Sequence, residues 1–283
     1  MKTSVISPIV RRKPRRHLPL AGLIGCAVFA FWLLMAVAGP YLAPDDAGGV
    51  GDDVFAPLSA LHPLGTDYLG RDMLSRILHG APYTIGLALA AVLVASVGGT
   101  VLAMCAAAAG GWFDAIVSRI VDTMLSIPHK LLALIIVAGF GTSVPLLILT
   151  AGIGYMPGAY RIARALAVNV QAMDYVQAAR ARGEGMAYIT CREMLPNMIR
   201  PVLADFGLRF LFIVLLLSGL SFLGLGIQPP HADWGSLVRE NIIGLSEGAP
   251  AVVMPAIAIA TLTIAVNMAI DGLAGRKRRG REG

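Results

Sequence analysis

Residues that could carry acid–base, metal or redox chemistry are spread thinly along this chain. The histidines and cysteines are far apart and show neither metal-ligand nor paired-disulfide spacing; they are His17, His62, His79, His129, His231, Cys26, Cys105 and Cys191. The acidic residues are equally dispersed, so no catalytic constellation is evident. The Gly-x-x-x-x-Gly-Lys-Ser/Thr loop that holds nucleotide phosphates does not occur in the sequence. The sequence therefore predicts neither an enzyme, nor a metal site, nor a cofactor bound by this chain.

An arginine-rich segment between two apolar runs has the residues of a short docking helix. Asp174 and Gln177, three residues apart, predict a capping box at a helix start. Ala178 and Ala179 favour a helix and let another protein approach closely, and Gly183 is typical of the position just past a helix end. A helix of about 8 residues is marginal alone. We expect either a helix held in the groove of a partner or an ordinary surface helix of a loop.

Composition indicates a membrane protein. Of 283 residues, 57% are hydrophobic and 14% are charged, whereas soluble domains have about 25% charged residues. A bilayer core of about 30 Å needs roughly 20 apolar residues per helix. Windows without Asp, Glu, Lys or Arg cover residues 18–44, 77–113, 131–160, 210–232 and 248–270. The predicted fold class is an all-α membrane protein.

A turn cluster divides the third of these windows and consists of Gly139, Gly141, Ser143 and Pro145. Too few apolar residues precede the turn to cross a membrane. A span that ends at the turn must begin near Ile116 and bring Asp122, His129 and Lys130 into the membrane. This division gives six predicted transmembrane helices.

Charged residues inside predicted spans are candidates for a transport pathway, because an unpaired charge is costly in a membrane. Asp122 and Lys130 are eight residues apart, too far round a helix for a direct pair, and each is expected to face a partner subunit or a cavity. Asp205 and Arg209 are four residues apart, which predicts a local ion pair with a structural role.

Basic residues predict the orientation, because cytoplasmic loops are rich in Lys and Arg. Residues 2–16, 161–200 and 276–281 are the basic segments, and residues 41–80 are rich in aspartate. An even number of spans places the three basic segments together, with both termini cytoplasmic. The apolar run of the first span is too long for a cleaved signal peptide, so a retained anchor is predicted. In this setting the basic tail is a topology signal rather than a nucleic-acid site.

Several motifs resemble one family. Before the second span they are His-Pro-Leu-Gly-Thr-Asp at 62–67 and Gly-Arg-Asp-Met-Leu-Ser-Arg at 70–76. After the fifth span they are Ser-Phe-Leu-Gly-Leu-Gly-Ile-Gln-Pro-Pro at 221–230 and Asp-Trp-Gly at 233–235. The others are Gln-Ala-Ala at 177–179 with Gly183 and Leu195-Pro196, and Asn267 with Asp271-Gly272. Over about residues 18–275 the chain resembles the C-type permease subunits of the dipeptide, oligopeptide and nickel ABC importers.

This resemblance implies a type I ABC importer permease fold in a prokaryotic cytoplasmic membrane. Two permease subunits would form the pathway, two ATPase subunits would bind ATP, and an external binding protein would deliver peptides or, as the alternative, nickel or another small solute. The implied ATPase-coupling residues are Asp174, Gln177, Ala178, Ala179, Gly183, Leu195 and Pro196. The implied division is an N-terminal part (1–80), a transmembrane domain (81–275) with a coupling loop (161–200), and a basic tail (276–283).

The chain departs from the family pattern at two positions of the coupling loop. Gln177 stands where the family usually has Glu, and Glu193 stands where an aliphatic residue is common. The docking role is expected to remain, with a different set of contacts. A stand-alone secondary transporter or membrane enzyme would need an internal repeat or a catalytic constellation, and neither is visible.

Two external stretches each allow two interpretations. Residues 63–80 predict either an interfacial helix that covers the bundle or part of a surface that receives the binding protein. Pro229, Pro230 and Trp234 predict either an anchor at the headgroup level or the rim of an outer gate.

Overall fold

The computed structural model describes residues 20–45 and 51–275, and the regular structure of these residues is helical. The helices are α1 Leu20–Leu42, α2 Met73–Ala109, α3 Gly111–Leu125, α4 His129–Phe140, α5 Val144–Gln171, α6 Asp174–Ala181, α7 Met186–Tyr188, α8 Leu195–Phe222, α9 Trp234–Glu240 and α10 Pro250–Gly275. A π-helix, Ile189–Met194, joins α7 to α8, and a 3₁₀ helix, Ile242–Leu245, follows α9. The basic segment 2–16 and the basic tail 276–283 lie outside the described residues.

Five helical stretches are long and apolar enough to cross a membrane. They are Leu20–Leu42, Met73–Ala109, Val144–Gln171, Met186–Phe222 and Pro250–Gly272. A sixth span of composite form is available, because α3 and α4 together also satisfy length and composition. The all-α membrane fold is confirmed, with six spans when this pair counts as one.

The predicted continuous span from Ile116 to the turn is wrong in its shape. The two helices are bent by 81° at the break between Leu125 and His129. Pro128 immediately precedes α4, and proline disfavours helical geometry in the residue before it. Asp122 and Lys130 therefore lie on two differently directed helices rather than eight residues apart on one.

Helix α2 lies at the centre of the bundle and packs against α1, α5 and α8. Small residues bring these helices close together. A Cβ atom on Gly99 would lie 2.7 Å from Cβ of Ala159, and one on Gly22 would lie 2.6 Å from Cα of Gly272. The close α2–α5 and α1–α10 contacts thus use the small-residue packing typical of membrane helices.

The buried apolar residues form two clusters. The larger joins α2, α4, α5, α8, α9 and α10. The smaller joins the second half of α2 to α3, α5, α6, the π-helix and the start of α8. The second cluster packs the segment between α5 and α8 against the ends of the long helices.

The stretches predicted to be external differ from two of the predictions. Helix α2 begins at Met73, so residues 63–72 are a loop and the predicted interfacial helix over 63–80 does not form. Trp234 has 0% exposure, and its Nε1 donates to the carbonyl oxygen of Ile77 at 2.9 Å. Trp234 is therefore a core residue and not an anchor at the headgroup level.

Candidate functional site

The predicted docking helix is present as α6, which has eight residues, Asp174–Ala181. Its first residue differs in role from the prediction. Met173 is the N-cap, with its carbonyl accepting from the N–H groups of Val176 and Gln177, and no side chain caps the helix. Asp174 is already helical, so the predicted Asp174–Gln177 capping box is wrong. The carboxylate of Asp174 still lies in the first turn, where the helix dipole favours a negative charge.

Gln177 makes a different contact from the one predicted. Its side-chain Nε2 donates to the carbonyl oxygen of Gln171 at 3.1 Å. Gln171 is the last residue of α5, and carbonyls at a helix end lack partners within the helix. Gln177 thus ties α6 to the end of α5.

The C-terminal end of α6 is a Schellman motif. Gly183 has φ +81°, its N–H donates to Arg180, and the N–H of Glu184 donates to Ala179. This pair of hydrogen bonds requires a left-handed residue at position 183, which glycine adopts without steric cost. The predicted role of Gly183 at the helix end is confirmed.

Helix α6 has an inner and an outer face. Val176 and Ala179 are both 0% exposed and belong to the smaller core cluster, together with Ile189 and Met194. Ala178 is exposed, as is Tyr175 at 40%. Of the two alanines expected to admit a partner, Ala178 is accessible, whereas Ala179 packs inward because it is three residues after Val176.

Tyr175 is an outer-face residue that the sequence interpretation did not include among the site residues. Its position one turn before Ala178 was readable from helical spacing, because residues three apart share a face. The exposed surface of α6 is formed by Asp174, Tyr175, Gln177, Ala178, Arg180 and Ala181. It offers one aromatic ring beside a small residue, flanked by polar groups.

Leu195 and Pro196 lie at the start of α8, directly after the π-helix. The N–H of Leu195 donates to the carbonyl of Thr190, five residues earlier. Pro196 lies in the first turn of α8, where a proline is tolerated because it needs no N–H partner there. Leu195 is half-buried against the smaller core, so these two residues support the base under α6 and do not extend its outer face.

The two pathway candidates occupy separate places. Asp122 in α3 is 53% exposed and lies 3.8 Å from Nε of Arg161 in α5. Lys130 is exposed in the first turn of α4. The structure does not bring Asp122 and Lys130 together, since the 81° bend separates their helices.

The predicted pair of Asp205 and Arg209 is confirmed. Nε of Arg209 lies 2.6 Å from Oδ2 of Asp205, and Nη2 lies 3.1 Å from Oδ1. The remaining Nη1 donates to the backbone carbonyl of Tyr155 at 3.1 Å, across the α5–α8 contact. With all three of these nitrogens engaged, the pair holds two helices together.

The loop that precedes α2, predicted to be external, is tied to α9 by a buried charge network. Asp67, whose side chain is fully buried, accepts from Nε of Arg71 at 2.7 Å. Arg76 pairs with Glu240 at 2.7 Å, and Asn241 accepts from the backbone N–H of Tyr68. The loop before α2 and the segment after α8 therefore form one unit, although about 170 residues separate them in sequence.

Asp233 organises the other half of this unit. Its carboxylate accepts from the N–H groups of Gly235 and Ser236 in a capping box for α9, and from the hydroxyl of Ser221 at 2.6 Å. Burial raises the pKa of Asp233, whereas its hydrogen bonds act in the opposite direction. The Asp-Trp-Gly motif thus fixes the start of α9 against the end of α8.

Comparison with known proteins gives relatives along nearly the whole chain. A putative peptide transport system permease protein of Brucella suis is 32% identical over 274 residues, covering 94% of this chain and 90% of the relative. A glutathione transport system permease protein of Pectobacterium atrosepticum is 31% identical over 268 residues, covering 93% and 87%. A dipeptide transport system permease protein of Alkalihalophilus pseudofirmus is 31% identical over 252 residues, covering 89% and 83%.

A family model described as the binding-protein-dependent transport system inner membrane component matches residues 95–279. The matched part includes α3 to α10 and the loop that carries α6. A transport permease of this kind is a multi-pass membrane protein and one subunit of a transporter complex, and is not an enzyme. With this match, and with relatives above 30% identity over most of its length, the chain belongs to the family of binding-protein-dependent transport system inner membrane components.

Proposed function

We propose that this chain is one of two permease subunits that form the membrane pathway of a peptide importer. Two separate ATPase subunits bind ATP and drive transport, and an external binding protein delivers the substrate. The names of the relatives, which are permeases of peptide, dipeptide and glutathione transport systems, support the substrate class.

The observation that carries the ATPase-coupling role is the geometry of α6. The hydrogen bonds of the Schellman motif fix the C-terminal end of the helix, and the burial of Val176 and Ala179 fixes its inner face. Its outer face remains exposed and contains Tyr175 and Ala178. A rigidly supported helix transmits a push to the helices beneath it, whereas a loosely attached one would absorb the movement.

The smaller core cluster beneath α6 connects it to three long membrane helices. The smaller core cluster contains residues of α2, α5 and α8 as well as α6. A displacement of α6 would therefore act on the cytoplasmic ends of the central bundle. Such a bundle needs two arrangements of similar free energy, which ATP and loaded binding protein then bias.

The orientation that suits this role places the loop 161–200 and both termini in the cytoplasm. The loop has six Lys and Arg residues, and residues 1–19 and 276–283 are also basic. The external loop contributes Asp67 and Arg71 to the buried network that they form with Arg76 of α2 and Glu240 of α9. The positive-inside rule supports this arrangement.

Lys130 is the better of the two pathway candidates. Asp122 has an arginine within 3.8 Å, on the neighbouring helix α5. Lys130 is exposed on α4, on a surface that a second permease subunit could complete into a cavity. We assign Lys130 to the pathway and Asp122 to the α3–α5 contact.

The proposal is tested by co-purification of the tagged full chain with its ATPases. Ala178→Arg puts a bulky side chain on the outer face of α6 while keeping a good helix former. We expect this variant to insert in the membrane normally, to retain the second permease subunit, and to lose the ATPase subunits. Ala60→Arg, at an exposed position of the external loop, is the matched control and should retain them.

Two results would overturn the proposal. Retention of the ATPases by Ala178→Arg at the level of the control would remove the docking role of α6. Purification of the unaltered chain alone, with transport activity of its own, would contradict the multi-subunit importer altogether.

A further inference from the structure

Three side chains with metal-binding atoms converge beside the start of α2. Asp45 follows α1, His62 lies in the external loop, and Asp72 is the N-cap of α2. Their ligand atoms, one from each residue, all lie within 4.8 Å of one another. Among the residues that the structure describes, this is the one such group of three histidine, cysteine or acidic side chains.

The donor set suits a borderline divalent metal ion. An imidazole nitrogen and carboxylate oxygens are common ligands of Zn²⁺, at about 2.0–2.2 Å. Two ligands at that distance in a tetrahedron are about 3.3 Å apart. Nδ1 of His62 and Oδ1 of Asp72 are 3.1 Å apart, close to this spacing. Water can complete the coordination, because Asp45 is exposed and His62 is only half-buried.

Nδ1 of His62 and Oδ1 of Asp72 share a hydrogen bond, which a metal ion would replace, and the supporting hydrogen bonds use other atoms. The hydroxyl of Ser75 donates to Oδ2 of Asp72 at 2.8 Å and accepts from the backbone N–H of Asp45 at 3.0 Å. Oδ1 of Asp72 is thereby directed at His62. The backbone N–H of His62 donates to Ser59, which fixes the turn that carries the imidazole. Outer contacts of this kind orient the ligands of metal sites.

The local charge also favours a cation. Asp72 is 4% exposed, and a second carboxylate within 4.8 Å raises the electrostatic free energy of both. Arg71 and Arg76, the arginines of this region, form ion pairs with Asp67 and Glu240. A divalent cation between the two carboxylates would offset their repulsion.

We propose that Asp45, His62 and Asp72 bind one divalent transition-metal ion of the Zn²⁺ class, which fastens the external loop to the end of α1 and the start of α2. The ion has a structural role in this proposal. It is separate from the transported substrate and does not depend on which solute the importer carries.

The test measures Zn²⁺ bound to the full chain, purified in detergent without a polyhistidine tag and stripped by a chelator. Equilibrium dialysis should give one tightly bound Zn²⁺ per chain. Asp45→Asn and His62→Gln should each weaken Zn²⁺ binding by at least about tenfold. The matched controls Asp52→Asn and His231→Gln lie outside the cluster and should bind Zn²⁺ like the unaltered chain.

A second measurement separates ligand loss from misfolding. Zn²⁺ should raise the midpoint of thermal unfolding of the unaltered chain and not that of Asp45→Asn, whose fold should persist because Asp45 is exposed and contributes its backbone to Ser75. Absence of saturable binding, or equal binding in Asp45→Asn and His62→Gln, would overturn the proposal and leave His62 as a hydrogen-bond partner of Asp72. The same affinity for Mg²⁺ would overturn the transition-metal class.

Discussion

Gly183 is the residue whose backbone conformation most constrains the end of α6. At φ +81° a β-branched side chain is strongly disfavoured, and the left-handed conformation costs a non-glycine residue about 1–2 kcal/mol. We expect Gly183→Val to break the two closing hydrogen bonds of α6 and to reduce ATPase co-purification several-fold. Membrane insertion and the thermal midpoint of the chain should change little, because residue 183 is exposed with open space around it.

Gly185 provides the control for this prediction. It lies in the same loop with open space around it, but its φ is −72°, which any L-residue adopts. Gly185→Ala should therefore keep the ATPases. Equal loss in both variants would show that any change in this loop disturbs docking, and would contradict a specific role for the Schellman motif.

The sequence predicts the conformation and burial of some residues but not of others. The end of α6 was predictable because glycine at position 183 satisfies a local backbone requirement. The capping box at Asp174 was not, because the helix begins one residue earlier than the side chains suggest, with Met173 as an N-cap that has no capping side chain. The burial of Trp234 depends on the carbonyl of Ile77, which is 157 residues away in sequence and has no local signal.

Among the elements, the bend between α3 and α4 is a feature that counting apolar residues could not predict. Hydropathy windows measure composition and length, and both helices satisfy these together. The bend angle is set by tertiary contacts, since α4 packs on α5 while α3 contacts both α2 and α5. Pro128 lies at the break, but the sequence held no signal for the bend of 81°.

Gly99 lies in the contact between α2 and α5, with no room for a side chain. A methyl group on Gly99 would lie 2.7 Å from Cβ of Ala159 and 2.9 Å from the carbonyl oxygen of Met156. Overpacking of this kind costs about 1–3 kcal/mol. We expect Gly99→Ala to separate the two helices and to lower the thermal midpoint of the purified chain by several degrees.

Gly98 is the matched position one residue earlier. A methyl group there would lie 3.4 Å from the terminal carbon of the Met156 side chain, which can move aside. Alanine also favours a helix over glycine by up to about 1 kcal/mol. Gly98→Ala should therefore leave the thermal midpoint unchanged or raise it. A similar fall in both variants would mean that the α2–α5 spacing does not depend on Gly99.

At the scale of the whole molecule, the sequence predicted the number of spans through charge and length, and the structure adds how they are joined. Arg76 in the first turn of α2 pairs with Glu240 at the end of α9, and this pairing requires the start of α2 and the end of α8 to lie on the same side of the bundle. The convergence of Asp45, His62 and Asp72 is likewise a product of tertiary structure, because their spacing in sequence resembles no metal motif.

The number of spans is five or six, depending on whether the bent α3–α4 pair crosses the membrane. Between residue 60 and Cys191 lie α2, the bent pair and α5. If the pair crosses the membrane, three crossings put residue 60 and Cys191 on opposite sides. If it does not, two crossings put them on the same side. Cys191 is exposed, whereas Cys26 and Cys105 are half-buried within α1 and α2. An impermeant maleimide should label Ala60→Cys from outside intact cells and should reach Cys191 only in inverted vesicles. Cys191→Ser removes the loop signal and is the control. Labelling of both positions from outside would show that α3 and α4 return to the face on which they begin, and the chain would then have five spans.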